Sequence, residues 1–387
     1  MIYLDNSATT ELDPRVAEKM QQFREGSFAN AGSVHQSGQR SRVELENARE
    51  AIATIIGAEP KEIIFTSGGT EANNYALKGY AFKVKSESGV WPHIITDRGE
   101  HHAVLHPVEF LASVGALVHY LEVDKEGRVS MEALCAFLAS LPGAIPRPLV
   151  SIMHANNETG SINLIRELAE IAYERGALIH TDAVQSFGKL SCNVKELGVD
   201  MMTLSAHKIH GPKGIGALYV NKELELESLI HGGAQERDRR GGTEPVELVI
   251  GFAEAIRISK EEREETTAQI GALKDHLRKL LSSIDGIHFV TPENGALPNI
   301  LNISFDDAAQ LDGEGLIVGM DIRGIAVSNG SACTSGSMQP SHVLLAMNYP
   351  PEQAKAAVRF SLSRFTTQKE IEKAAKAMRD VVEKMRG

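Results

Sequence analysis

The sequence predicts an α/β fold, with a mostly parallel central sheet covered by helices on both faces and a smaller α+β domain after it. Two observations predict this fold. Between residues 62 and 221, short apolar runs alternate with amphipathic helical segments, a pattern typical of parallel sheets that are buried on both faces. A proline-free helical stretch then runs from residue 249 to residue 284 and is long enough to link two domains.

The length of 387 residues also favours two domains, because single hydrophobic cores rarely grow this large. We expect a large domain over residues 15–255 and a small one over residues 256–387, which the N-terminal segment 1–14 completes.

Each predicted element follows from its own residues. The strands are expected within residues 62–69, 93–102, 116–124, 148–160, 177–186, 201–208 and 216–221. Helical spacing of apolar residues predicts helices over 70–85, 103–115 and 164–176. After Pro292 the pattern changes, and we expect strands within 299–305 and 324–336 and a closing helix over 370–386.

Composition narrows the class of protein. The formal net charge is −11, from 40 Lys and Arg against 51 Asp and Glu, which argues against a nucleic-acid-binding surface. No signal peptide or membrane span is readable, so no membrane partner is expected. The three cysteines form neither a disulfide framework nor a zinc motif. We therefore expect a cytoplasmic, reducing location and no metal.

Polar residues follow five of the predicted strands. They lie at residues 67–70, 100–101, 156–157, 182–185 and 205–208. Open parallel sheets bind ligands at the carboxyl ends of their strands, so we expect these five groups to share one site.

Three of the groups fit one cofactor. Gly69 and Thr70 stand at a helix start, where free backbone N–H groups suit a phosphate. Asp182 and Lys208 end neighbouring strands. In these positions Asp182 suits the protonated ring nitrogen of a cofactor, and Lys208 supplies an amine. Pyridoxal 5′-phosphate (PLP) needs all three. Taken singly, the glycines also suit an ordinary turn, the aspartate a helix cap and the lysine a solvated surface.

Motifs along nearly the whole chain carry a specific resemblance. They are YLDNSATT, FTSGGTEANN, EHHAVL, HANNETG, HTDAVQSFGK, LSAHKIHGPKG, GGAQERDRRGGTEPV, NGSACTSGSMQPSHVL and VRFSLSRFTT, in this order. Together they resemble the NifS/IscS-like cysteine desulfurases of the class V aminotransferases, which have the fold-type-I PLP architecture. The stretch GSACTSGS resembles the long cysteine loop of the group I enzymes.

The resemblance implies a role for each matching residue. Lys208 matches the Schiff-base lysine, Asp182 the pyridinium partner, His101 the histidine stacked on the ring, and Gln185 and Asn157 the contacts of the phenolic oxygen. Gly69, Thr70, Ser205 and His207 match the phosphate contacts, and Thr243 a phosphate contact made from the partner subunit of a homodimer. Arg359 matches the clamp of the substrate carboxylate, which Asn157 also touches, and Cys333 matches the nucleophile.

The activity implied is conversion of L-cysteine to L-alanine, with a persulfide on Cys333 that passes to a sulfur-acceptor protein. A related class V aminotransferase or a selenocysteine lyase is the alternative. Two departures from the family are visible: residues 30–35 lack the usual proline, and the tail after the last helix is shorter than in IscS-type members.

Several residues compete for these roles. Lys213 is the alternative to Lys208, and Arg364 the alternative to Arg359. We expect His102 to be a solvated neighbour of His101. Cys135 lies in an apolar helical run and is expected in the core. Cys192 is also expected to be structural, because only Cys333 lies among small residues where a thiol is reactive.

Overall fold

The computed structural model describes residues 1–142, 146–330 and 339–387. Its strands are β1 (Ile2–Tyr3), β2 (Ile63–Thr66), β3 (His93–Asp97), β4 (Leu117–Leu121), β5 (Leu149–Ser151), β6 (Leu178–Asp182), β7 (Met201–Ser205), β8 (Gly216–Val220), β9 (Ile287–Phe289), β10 (Ile300–Phe305), β11 (Ile325–Ala326) and β12 (Val358–Ser361). The seven strands predicted between residues 62 and 221 are β2 to β8, so this part of the prediction is confirmed.

The main sheet has the strand order β2-β8-β7-β6-β5-β3-β4. Strands β3 to β7 pair in parallel. Strand β8 runs antiparallel to both β7 and β2, so β2 points in the same direction as β7. The predicted mostly parallel sheet is confirmed, and the carboxyl ends of six strands lie along one edge.

The helices surround this sheet. They are α1 (Pro14–Gly26), α2 (Gln36–Ile56), α3 (Gly69–Asn74), α4 (Tyr80–Ser88), α5 (His102–Ser113), α6 (Met131–Ser140), α7 (Ile165–Glu174), α8 (Val194–Leu197), α9 (Val246–Leu281), α10 (Gly313–Ile322), α11 (His342–Ala346), α12 (Pro351–Lys355) and α13 (Gln368–Arg386). Within the described ranges, no helix combines the length and apolar character needed to cross a bilayer.

Helices cover both faces of the sheet, as predicted. Along β2, Ile63 and Phe65 belong to one buried apolar cluster and Ile64 belongs to another. Successive side chains of a strand point to opposite faces, so each cluster covers one face.

The helix predicted over residues 70–85 is interrupted. Helices α3 and α4 are joined by a π-helical turn, Tyr75–Gly79. The turn places the buried Tyr75 so that its hydroxyl donates to Arg239 O at 2.6 Å. A π-helical turn contains one residue more than an α-helical turn. The spacing of apolar residues does not reveal this extra residue, so the sequence predicts one continuous helix.

A third cluster lies in the C-terminal part of the chain. It contains Leu4 together with residues from 270 to 382. Helix α9 contributes Val249 and Ile258 to the first cluster and Ile270 and Leu281 to the third. The first cluster also contains Val343 and Leu344, so the division into two domains and its bounds stay a prediction.

Candidate active site

A cavity of about 590 Å³ lies at the carboxyl edge of the main sheet. The predicted site residues that line it are Gly69, Thr70, His101, Asn157, Asp182, Gln185, Ser205, His207, Lys208 and Arg359. The prediction that the polar groups at the strand ends share one site is therefore confirmed for their positions. The roles of these residues stay predictions.

Two predicted site residues are not among those lining the cavity. Thr243 is exposed on the segment between β8 and α9. Cys333 lies outside the described residues. The residues that precede its segment, Ser328 to Gly330, do line the cavity.

Lys208 lies just after β7, in a short 3-10 turn. Its Nζ donates to Ser7 O at 2.5 Å and to Ala8 O at 2.7 Å. Burial, together with the positive charge of Arg359, lowers the pKa of Lys208 to about 7. Lys213 is exposed and does not line the cavity, so Lys208 is the amine positioned to react there.

Asp182 is the last residue of β6 and is buried. Its Oδ2 accepts a hydrogen bond from Asn73 Nδ2 at 2.6 Å, and its Oδ1 accepts one from Val184 N at 2.9 Å. Burial raises its pKa, which these hydrogen bonds and Lys208 oppose. A turn rather than a helix follows Asp182, so the helix-cap alternative is wrong. Sequence reasoning missed Asn73, although it lies inside the TSGGTEANN motif.

Arg359, in β12, is buried in the wall of the cavity. Its Nη2 donates to Asp5 Oδ1 at 2.7 Å and its Nη1 to Asn157 O at 2.8 Å. The Nε has no partner among the described residues. Asp5 also lines the cavity. Sequence reasoning missed Asp5 too, although it stands in the YLDNSATT motif.

Arg364, the competitor of Arg359, does not line the main cavity. It pairs with Asp13 and, at 3.2 Å, with Glu262. These ion pairs support the prediction that Arg364 is structural.

His101 precedes α5 and caps its first turn, since its Nδ1 accepts a hydrogen bond from Ala103 N at 3.0 Å. This bond places the proton of the neutral ring on Nε2. The side chain is open to the cavity, yet the surrounding protein desolvates the ring. That desolvation and the charge of Lys208 lower the pKa of His101 to about 4. His102 is exposed, as expected.

The cavity wall fits the PLP cofactor predicted from the sequence. The buried Ser205 Oγ and Gln185 Oε1 have no hydrogen-bond partner within the described part of the chain. A Cβ at position 69 would lie 2.8 Å from a methyl carbon of Val184, so only glycine lets the backbone of residue 69 pack this closely against Val184. The unpaired Ser205 hydroxyl and the backbone N–H groups at the start of α3 suit a phosphate, whereas the Gln185 oxygen is an unpaired acceptor. Asp182 and Lys208 suit the ring nitrogen and the aldehyde.

Residues 2–374 match the profile of the aminotransferase class-V family. This chain belongs to that family.

The relatives of this class-V protein match its whole length. It is 44% identical over 386 residues to the cysteine desulfurase IscS of Dictyoglomus turgidum, covering 100% of this chain and 95% of the relative. It is 43% identical over 390 residues to that of Pseudomonas putida, covering 100% and 93%. The predicted resemblance to cysteine desulfurases is therefore confirmed.

Solved structures support the fold. A NifS-like protein superposes with a TM-score of 0.90 at 36% identity, covering 99% of each chain. A structure described as SspA in complex with cysteine superposes with a TM-score of 0.80 at 34% identity, covering 95% of this chain and 100% of the other. The predicted α/β fold of the fold-type-I class is confirmed.

The two cysteines that the structure describes differ in environment. Cys192 is buried, and burial raises the pKa of its thiol to about 11, as suits the structural role expected. Cys135 is only partly buried, and its sulfur lies 3.6 Å from Arg175 Nη2. The prediction that Cys135 is a core residue is wrong, because α6 buries Leu134 and Leu138 instead.

Proposed function

We propose that this class-V protein is a PLP-dependent cysteine desulfurase that converts L-cysteine to L-alanine. One observation carries the proposal. The Lys208 amine, with its pKa lowered to about 7, lies in the same cavity as Asp182 and the unpaired Ser205 Oγ. The names of the relatives, and the solved structure that contains cysteine, support this substrate.

The resemblance to the family gives the residues lining the cavity their roles. Ser205, His207, Thr70 and the backbone at Gly69 would hold the phosphate. When bound, PLP supplies an electron sink that makes the Cα proton of the substrate acidic. The Asp182 carboxylate would hold the ring nitrogen and keep it protonated.

Proton transfer falls to the two cavity bases. Above pH 7 the Nζ of Lys208 is a free amine, so it can accept the Cα proton. The neutral ring of His101 carries a proton on Nε2 and assists its return.

Arg359 binds the substrate carboxylate. Its guanidinium is held by Asp5 and by Asn157 O, so the side chain is oriented before the substrate enters. A fixed arginine fork is well suited to a carboxylate.

Cys333 completes the reaction. Its thiolate attacks the sulfur of the bound substrate, so the S–Cβ bond breaks and an S–S bond forms on Cys333. The electron pair of the broken bond stays with Cβ, which takes up a proton, and the carbon skeleton leaves as L-alanine. The persulfide sulfur passes to an acceptor protein of iron–sulfur cluster assembly or another sulfur-trafficking route.

We propose a cytoplasmic homodimer, in which Thr243 contacts the phosphate bound by the partner subunit. The exposure of Thr243 outside its own cavity supports this arrangement.

The decisive test measures L-alanine after the purified holoenzyme is mixed with L-cysteine and a thiol reductant, without any 2-oxo acid. We expect one alanine per sulfide released. Alanine that appears only when a 2-oxo acid is added would identify an aminotransferase. Turnover of selenocysteine alone would identify a selenocysteine lyase.

A further inference from the structure

Glu158 is a buried carboxyl group next to the candidate active site. Its side chain is 1% exposed, and its backbone oxygen accepts a hydrogen bond from Asn302 Nδ2 at 3.1 Å. The preceding residue, Asn157, lines the cavity and accepts a hydrogen bond from Arg359. Glu158 itself does not line the cavity, so the proposed chemistry gives it no part.

The carboxyl of Glu158 contacts both sides of the stretch that carries Cys333. On the C-terminal side, Ser341 Oγ donates to Glu158 Oε2 at 2.5 Å. Ser341 is fully buried and caps α11, because its Oγ also accepts from Leu344 N at 3.2 Å. One carboxyl oxygen of Glu158 therefore holds the side chain that caps α11.

On the N-terminal side, the carboxyl packs against Gly330. A Cβ at this position would lie 2.7 Å from the carboxyl carbon of Glu158. Gly330 has φ +94°, a conformation that favours glycine. The chain thus passes the carboxyl at van der Waals distance just before residue 331.

Packing alone does not account for an acid at this position. Burial raises the pKa of Glu158 to about 7, although the hydrogen bond from Ser341 and the positive charge of Arg359 oppose this shift. A buried carboxyl costs stability that an apolar side chain of similar size would not. A function that depends on the carboxyl accounts for its presence.

We propose that Glu158 is a positioning residue for the sulfur step, holding Gly330 and Ser341 so that Cys333 reaches the sulfur of the bound substrate. The inference rests on the proposed desulfurase function. It predicts that a change at Glu158 affects persulfide formation and leaves cysteine binding intact.

The experiment compares the holoenzyme with Glu158→Ala, Glu158→Gln and Gly330→Ala. Asp200→Asn serves as the matched control, because Asp200 is a partly buried carboxyl with a raised pKa that accepts from Ile179 N, away from the cavity lining. Cysteine binding is titrated by the visible absorbance change. Persulfide on Cys333 is followed by quenched-flow mass spectrometry, and the accessibility of Cys333 by its alkylation rate without cysteine.

We expect Glu158→Ala to slow persulfide formation at least about tenfold, since small misplacements of reacting atoms are costly. Its alkylation rate should change as well, while its dissociation constant for cysteine stays within about threefold. Glu158→Gln keeps an oxygen that accepts from Ser341 and should retain most of the rate. Gly330→Ala should slow the same step, and Asp200→Asn should not.

Equal persulfide rates in Glu158→Ala and the wild type would overturn the inference. Loss of cysteine binding together with the persulfide would also overturn it, because Glu158 would then support the cavity as a whole. If Glu158→Ala does not fold, a normal rate in Gly330→Ala overturns the inference, and a slowed rate with unchanged cysteine binding supports it. A wild type that binds cysteine but forms no persulfide on Cys333 contradicts the proposed function itself.

Discussion

Asn73 and Asp182 are 109 residues apart in the chain, yet the Asn73 amide donates a 2.6 Å hydrogen bond to the Asp182 carboxylate. The bond ties α3, whose first two residues are Gly69 and Thr70, to the end of β6. It also favours the ionised carboxylate against the effect of burial. The ring-nitrogen partner proposed here therefore depends on a residue that the sequence motifs did not single out for a role.

Replacing Asp182 tests the ring-nitrogen role. Asp182→Ala should still bind PLP and lose turnover on the order of a hundredfold, because an uncharged site does not keep the ring nitrogen protonated. Asp182→Asn should lose a similar amount. Asn73→Ala should lose about tenfold, which corresponds to one hydrogen bond to a charged group. Steady-state alanine production measures all three, and near-normal turnover in Asp182→Ala would refute the role.

Replacing Lys208 tests the amine assignment. Lys208→Ala should lose the visible absorbance of the lysine-linked cofactor, because its Nζ is the amine in the cavity. Lys213→Ala is the matched control and should keep the absorbance. The opposite result, a colourless Lys213→Ala and a yellow Lys208→Ala, would reverse the assignment.

The pH dependence of covalent PLP attachment tests the electrostatics of the cavity. Because burial lowers the pKa of Lys208 to about 7, the ammonium dominates below pH 7 and the free amine above it. The initial rate of attachment to the apoprotein should rise about tenfold per pH unit below 7 and level off above it. Borohydride trapping and peptide mass spectrometry measure the rate at Lys208. A rate that keeps rising to pH 9 would show that the lysine is not desolvated.

Replacing Arg359 tests carboxylate recognition. Arg359→Lys keeps the charge but not the planar fork, so the dissociation constant for L-cysteine should rise about tenfold or more while PLP stays bound. Arg364 pairs with Asp13 and Glu262, so Arg364→Lys should bind cysteine normally. If only Arg364→Lys binds cysteine more weakly, then Arg364, and not Arg359, binds the substrate carboxylate.

Much of the fold was predictable because its signals are local. Apolar runs such as residues 201–205 become strands wherever a sheet can bury them, and the polar residues that follow them meet at one edge. The roles of Lys208 and Arg359 came from family motifs, and the structure then explains which of two lysines and two arginines lies in the cavity.

The remaining features depend on contacts between distant residues. The partners of Asn73, Asp5 and Glu158 are far away in the chain, and no spacing rule connects them. The prediction that Cys135 lies in the core is wrong for a similar reason, since apolar neighbours in sequence do not determine which face of α6 is buried.

The most direct test of the central claim is mass spectrometry of the protein after exposure to L-cysteine, with alanine measured in parallel. Cys333 lies among small residues, and a serine at this position replaces a sulfur nucleophile with a hydroxyl of far higher pKa. Cys333→Ser should bind cysteine with the usual spectral change and then release no alanine, while Cys135→Ser and Cys192→Ser should keep turnover. The account predicts one extra sulfur on the peptide that contains Cys333. Extra sulfur found only on Cys135 or Cys192, or full alanine release from Cys333→Ser, would contradict it.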